Sequence, residues 1–343
     1  MSTGTLDKQR SQTRLTSAAA GLLRSRETGI FLALVVVLIA TTVKNSTFLF
    51  SHDGFRDLLL TPSILVLLAV GQAMVIITRN VDLSVGSMLG LTAFLTGTLF
   101  RDSGLPTFLI VLIGIVAGVG LGVVNGALVA FAKVPALVIT LGTLYIYRGV
   151  MVSWAGSDRI NASDIPAGFL KFGTQSVLGI PLLALVSFAV LAVATYYMRS
   201  TRSGREFYAI GSDPDAAKLY GLNVTKRVLV AFAVNGGLAG LAGVLYVARY
   251  GTISSNAGLG FELLAVGAAV IGGVAIFGGS GSVFGAAIGA YLLLTIDRAL
   301  PILGIQDFWQ RAVVGLLILG AIVLDRVLAN RQHRKLLAER DAR

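Results

Sequence analysis

The stretch LAVGQAMVIITRNVDLSVGS, Leu68–Ser87, decides how the rest of the chain is read. It opens as a continuous apolar run, passes through Arg79, Asn80 and Asp82, then resumes with small and apolar residues. A segment apolar on every side is a helix buried in protein or lipid, whereas strands of a membrane barrel alternate apolar and polar residues. The same texture fills the chain. Of 343 residues 55% are hydrophobic and only 13% charged, with mean hydropathy +0.82. A soluble domain carries roughly 25% charged residues. Apolar runs near the ~20 residues that cross a bilayer recur throughout. The expected fold is all-α, a polytopic membrane helix bundle.

Ten spans are expected, near residues 30–48, 58–78, 83–100, 105–132, 134–153, 177–198, 228–249, 261–277, 281–298 and 308–328. The third, fifth and eighth are candidates for partly re-entrant segments. The tail at 1–29 is basic, and no small-residue cleavage pattern follows the first apolar run, so an uncleaved first span is the reading. With the N-terminus inside, nineteen of the 28 Lys and Arg fall on the cytoplasmic side and nine on the other. That bias places both termini, 1–29 and 329–343, in the cytoplasm and demands an even span count, which eight would also satisfy. The formal net charge of +11 thus reports topology, and no nucleic-acid partner is expected. Cysteine is absent and the two histidines, His52 and His333, sit far apart in polar segments, so no metal site is expected.

The opening stretch has an echo in Leu241–Ala268. Both run from a small-residue helix through an arginine to an acid followed by Leu and then Val-Gly, with Asp82 and Glu262 in matching places. The offset of five spans predicts an inverted repeat, a transporter habit. Glycines at spacing four, Gly114, Gly118, Gly122 and Gly126, and again Gly281, Gly285 and Gly289, predict faces where helix backbones approach closely. Such faces serve packing within one chain, a subunit contact or a sliding surface.

Polar residues at membrane depth are few. Asp82 and Glu262 fall at expected helix starts, where a carboxylate favours the positive helix end, so capping and a gating or substrate role both fit. Ser84, Asn125, Thr140, Thr143 and Asn235 are uncharged polar groups suited to a hydroxylated neutral solute or to interhelical hydrogen bonds. Arg148 lies near an outer span end, placed to snorkel or to line a cavity. With Asp82 and Glu262, these are the candidates for a translocation path. No phosphate loop of the G-x-x-x-x-G-K-[ST] kind and no catalytic set is present, and no titratable residue sits at mid-depth. An enzyme is not expected, and a pump of this composition takes its energy from another chain. A self-sufficient channel or an ion-coupled carrier is the alternative.

Between the sixth and seventh spans, residues 199–227 form a charged loop on the side the basic residues mark as cytoplasmic. Asp213 reads as an N-cap, Pro214 as the first helical residue, Asp215 as first-turn negative charge and Gly221 as the C-terminal stop. A two-turn helix is marginal alone and needs a surface to dock on.

The segment Asp215–Gly221, DAAKLYG, resembles the E-A-A-x-x-x-G pattern by which ABC importer permeases insert a coupling helix into their ATPase, with Asp for Glu. TRNVDLSVGS, NGALVAFAKVPALVITLGTLYIYRG, SGREFYAIGSDPDAAKLYG and VIGGVAIFGGSGSVFGAAIGA, in that order, are similar to permeases of the ribose, rhamnose and autoinducer-2 class. The resemblance implies a permease of the bacterial inner membrane working with a second permease, itself or a sister chain, and with a periplasmic or lipid-anchored sugar-binding protein. It implies that Asp213, Pro214, Asp215, Ala216, Ala217, Lys218 and Gly221 couple to an ATPase that uses the ATP, no cofactor being held by this chain.

Overall fold

The computed structural model describes residues 26–306 apart from 133, and eight helical positions between 309 and 323. The tails at 1–25 and 324–343 lie outside these residues, as does most of the tenth expected span. The membrane helices among the described residues are α1 (Arg26–Lys44), α3 (His52–Leu60) running into α4 (Ser63–Ile77), α5 (Val85–Asp102), α6 (Thr107–Ala132), α7 (Ala136–Ala155), α9 (Leu182–Ser200), α12 (Val224–Tyr250), α13 (Phe261–Ile271) and α14 (Val283–Ile302). Shorter pieces connect them: α2 (Thr47–Phe50), α8 (Ala167–Thr174), a hairpin of β1 (Ser176–Val177) with β2 (Ile180–Pro181), α10 (Arg202–Ser212) and α11 (Pro214–Leu219). Seven segments are long and apolar enough to cross a membrane, so the chain is a polytopic helical membrane protein.

At the centre stands α4, with all fifteen of its residues buried. Its sequence, SILVLLAVGQAMVII, offers no polar face, so it is enclosed by α9, α12, α13 and α14. Lipid tails are as apolar as leucine, so enclosure in a membrane is driven by close packing and interhelical hydrogen bonds rather than by transfer from water. Glycine makes that packing possible. Along α6, Gly118 and Gly122 leave no room for a Cβ against the backbone of Gly236 and Gly240 in α12, while Gly114 and Gly126 abut Val244, Phe232 and Leu229 of the same helix. This glycine face therefore packs within the chain. Gly118→Leu is expected to force α6 off α12 and abolish the monodisperse peak in fluorescence-detected size-exclusion chromatography. Gly120→Leu, which meets nothing within 4 Å, should elute like the parent.

The second glycine set divides. Gly285 and Gly289 seat α14 against the backbone of Gly272 and Ala268. Gly281, by contrast, precedes the helix: at φ 130° it closes a turn against Val274, in a conformation that side chains with a Cβ rarely adopt.

Of the three segments suspected of re-entry, the third and fifth are continuous helices of 18 and 20 residues. The eighth is broken. Its helix α13 has 11 residues, about 16 Å at 1.5 Å per residue, roughly half a hydrocarbon core. Glycines at positive φ on either side, Gly251, Gly258 and Gly260 before it and Gly273, Gly278 and Gly279 after it, end the helix and let the flanking chain fold tightly.

The bundle has two ends. At one, Gly279 N–H donates to the Ile77 carbonyl at 3.0 Å, and Gly211 packs on that same carbonyl. At the other, Arg101 pairs with Asp158 at 2.8 Å, and Ile160 and Ile253 exchange backbone hydrogen bonds of 3.0 and 2.9 Å. Helix α4 finishes at the first end and α12 starts there, so the two helices of the sequence echo run in opposite directions.

Candidate functional site

Two linked features carry the polar chemistry. The first is a buried carboxylate. After α4 the chain turns through residues 78–84, where Arg79 takes φ 66°, and this irregular stretch brings Asp82 back into the protein with no exposed surface. Asp82 Oδ1 accepts from the Ser84 N–H at 2.9 Å and the Ser84 hydroxyl at 2.7 Å, and Oδ2 accepts from the Asn235 amide at 3.0 Å. The Asn125 amide donates to Ser84 Oγ at 2.8 Å and lies 3.3 Å from Asp82 Oδ1. Tyr147 places its hydroxyl 3.1 Å from Asn125 Oδ1 and 3.0 Å from the Leu121 carbonyl, and Thr140 donates to the Val81 carbonyl at 3.1 Å. The Gln72 carboxamide, turned to satisfy both ends, spans the backbone N–H and C=O of Asp82 at 3.1 Å each.

Thus Asp82 is held by neutral donors from the start of α5, from α6 and from α12, while α4 fixes its backbone and α7 its neighbours. No cation pairs with it among the described residues. A bare charge in low dielectric is costly, and donors fixed on several helices offset that cost only while those helices stay in register. The arrangement suits a register pin. Of the sequence-derived path candidates, Asp82, Ser84, Asn125, Thr140 and Asn235 are fully enclosed in this conformation, and Thr143 nearly so, bonding the Thr140 carbonyl at 3.4 Å. Arg148 and Glu262 stand apart from them. Arg148 donates to the Ala257 carbonyl at 2.6 Å. Glu262 Oε1 accepts from the Gly260 N–H at 3.2 Å, inside the expected helix start, while Oε2 is buried against Gly86 without a partner. The two echoed acids therefore sit in adjoining but different environments.

The second feature is the polar insert. Asp213 Oδ1 accepts from the N–H groups of Asp215 and Ala216, both at 3.0 Å, and Pro214 opens α11. Those donors, Ala216 foremost, hold the Asp213 carboxyl below the usual carboxylate range. A depressed value means the cap stabilises above the ordinary carboxylate pKa and is lost only as pH falls through the lowered one, so the cap is intact at neutral pH. At the other end Gly221 takes φ 78°, its N–H donating to Lys218 O at 2.9 Å while the Leu222 N–H reaches Ala217 O at 3.0 Å. These are the caps that the sequence calls for. Lys218 pairs with Asp215 at 3.1 Å on the exposed side.

Ala217 is the buried contact of α11. What sequence reasoning missed lies at the helix tip: Leu219 is 90% exposed and Tyr220 87%. Two large apolar side chains thus stand in the open at the end of a capped polar helix. The helix is braced from behind, where Arg227 donates to Glu206 at 2.6 Å and to the Ser203 hydroxyl at 2.6 Å, tying α10 to the first turn of α12.

Arg79 joins the two features. Its Nε donates to the Phe277 carbonyl at 2.9 Å and its Nη2 to the Ser212 carbonyl at 2.7 Å, one residue before the α11 cap. Tyr208 adds a bond to the Gly281 carbonyl at 3.1 Å. A push on α11 therefore reaches Arg79 directly, and Arg79 is three residues from Asp82.

Known proteins resemble this chain along most of its length. The family model for the branched-chain amino acid transport system permease component matches residues 55–322. The chain is 36% identical over 319 residues, 93% of its own length and 91% of the relative's, to the Autoinducer 2 import system permease protein LsrC of Salmonella paratyphi B. The proteins of that name from Enterobacter sp. (35% over 305 residues, 89% of this chain and 88% of the relative) and Escherichia coli (35% over 322 residues, 93% and 92%) are similar to it. No solved structure matches. With four fifths of the chain inside one family model and relatives covered almost end to end, the chain belongs to the branched-chain amino acid transport permease family.

Proposed function

We propose that this protein is the membrane-spanning permease subunit of an ATP-driven importer for a sugar-type solute in a bacterial inner membrane. The observation that carries the reading is α11: a six-residue helix, capped at both ends, standing off the bundle with Leu219 and Tyr220 uncovered. An ATPase subunit is the partner for that surface. A second permease, identical or sister, completes the pathway, and a binding protein outside the membrane delivers the solute. Autoinducer-2, rhamnose and ribose are the substrates to test, the first because relatives over nearly the whole chain bear its name.

The topology proposed is ten crossings with both termini, 1–29 and 329–343, cytoplasmic and the coupling loop 199–227 on that same side. Helix α1 starts near α9's last turn, Glu27 lying 3.8 Å from Arg199, and α14 leaves toward the opposite end; the proposed tenth crossing, 308–328, would return the chain to the first. The antiparallel α4 and α12 support an inverted repeat. ATPase closure would push α11 and, through Arg79 and the Asp82 pin, shift the bundle between two states that it contacts differently.

Reconstitution tests the proposal. Proteoliposomes holding this chain, its ATPase and its binding protein should accumulate labelled autoinducer-2, rhamnose or ribose only with ATP. Uptake by the isolated chain without an ATPase would overturn it and favour a channel or carrier.

A further inference from the structure

The broken eighth crossing does more than connect two helices. From Gly251 the chain descends through residues 254–260 without regular structure, packed along α5. Ala257 and Gly258 press on Gly90 and Gly86, positions with no room for a Cβ. Counted from Asp102 at the end of α5, Gly90 lies twelve residues in and Gly86 sixteen, so the contacts sit about 18 and 24 Å from that helix end. The segment is therefore deep within a hydrocarbon core of about 30 Å.

Yet it is not covered. Asn256 is exposed, Ser254 and Ser255 are half-exposed, and neither the Asn256 carboxamide nor the Ser255 hydroxyl has a hydrogen-bond partner among the described residues. Arg148 reaches across from α7 to the carbonyls of Ala257, at 2.6 Å, and Ser255, at 3.4 Å. One turn before Arg148, Tyr145 is 73% exposed, and Gly149 beside it leaves open space. Irregular backbone and free amide groups do not face lipid at this depth. They are tolerated only against protein or along a water-filled cavity. The groups on show are the uncharged Asn256 carboxamide and the seryl hydroxyls, with the Leu259 side chain beside them at 67% exposure and Arg148 spent on backbone carbonyls. That chemistry fits a neutral polyhydroxylated solute rather than an ion.

We infer that Ser254–Gly260, with Asn256 at its open edge and Arg148 bonded across it, lines the aqueous path and hydrogen-bonds the passing solute. The inference rests on the permease reading and names the wall of its path. It moves solute contact away from the enclosed Asp82 cluster to a segment that lies between the expected spans 228–249 and 261–277.

The chain contains no cysteine, so single cysteines can be read without background. Ser255→Cys and Asn256→Cys are placed in the full importer in membrane vesicles and treated with membrane-impermeant sulfonatoethyl methanethiosulfonate. Val193→Cys, 69% exposed on α9, is the lipid-facing control. Both test positions should react at least ten-fold faster than the control, and their adducts should cut ATP-driven autoinducer-2 uptake at least five-fold. No reaction at either position, the result if a protein surface covers the segment, overturns the inference, as does full labelling with unchanged uptake. If the unlabelled importer takes up no autoinducer-2, the substrate assignment fails on its own, and the relative labelling rates still decide whether the segment meets water.

Discussion

A Leu219→Asp, Tyr220→Ala double variant is expected to lose its ATPase on purification and to cut ATP-driven uptake by at least ~100-fold. Buried aromatic and aliphatic anchors at the centre of a protein interface each contribute about 2 kcal/mol or more, and a carboxylate forced into such a pocket adds a desolvation cost. Two anchors together exceed the ~2.7 kcal/mol that a 100-fold change requires. The substitutions should spare the fold, because both side chains already point away from it, at 90% and 87% exposure. Size-exclusion behaviour and melting temperature of the variant alone should match the parent. Retention of the ATPase by the double variant would show that α11 is not its docking element.

Asp82→Leu is expected to destabilise the bundle itself. Removing the carboxylate strands the Asn235 amide, the Ser84 hydroxyl and the Ser84 N–H in a fully enclosed site. A buried donor left unmade costs about 1–3 kcal/mol, and the substitution leaves three of them. A net loss of about 3–5 kcal/mol, near 10 °C on the scale of soluble domains of this size, is the expected drop in melting temperature. Asp82→Asn keeps the shape and one acceptor oxygen and should lose less than half as much. A Leu variant that melts with the parent would remove the register role.

Much of this was legible in the chain. The α11 caps were readable because they are local: Asp213, Pro214 and Gly221 act on N–H and C=O groups within four residues of themselves. The glycine spacing on α6 was readable because a helix fixes which residues share a face, although only packing showed that the face meets α12. The eighth crossing was legible only as a candidate for re-entry, because averaged apolarity marks the run from Phe261 but does not register the three glycines at positive φ that precede it. Arg79 was counted only as a topological charge, since nothing near it in sequence announces carbonyls 133 and 198 residues away.

By itself the sequence determined a helical membrane bundle and a short polar helix with its caps, all properties of residues close together along the chain. Only the tertiary structure decided that five path candidates are joined in an enclosed cluster, that Leu219 and Tyr220 stand uncovered, and that Asn256 is open at membrane depth. The physical reason is range. Capping and lipid transfer act on a residue and its neighbours, whereas burial and long hydrogen bonds depend on which distant helices the glycines allow to meet.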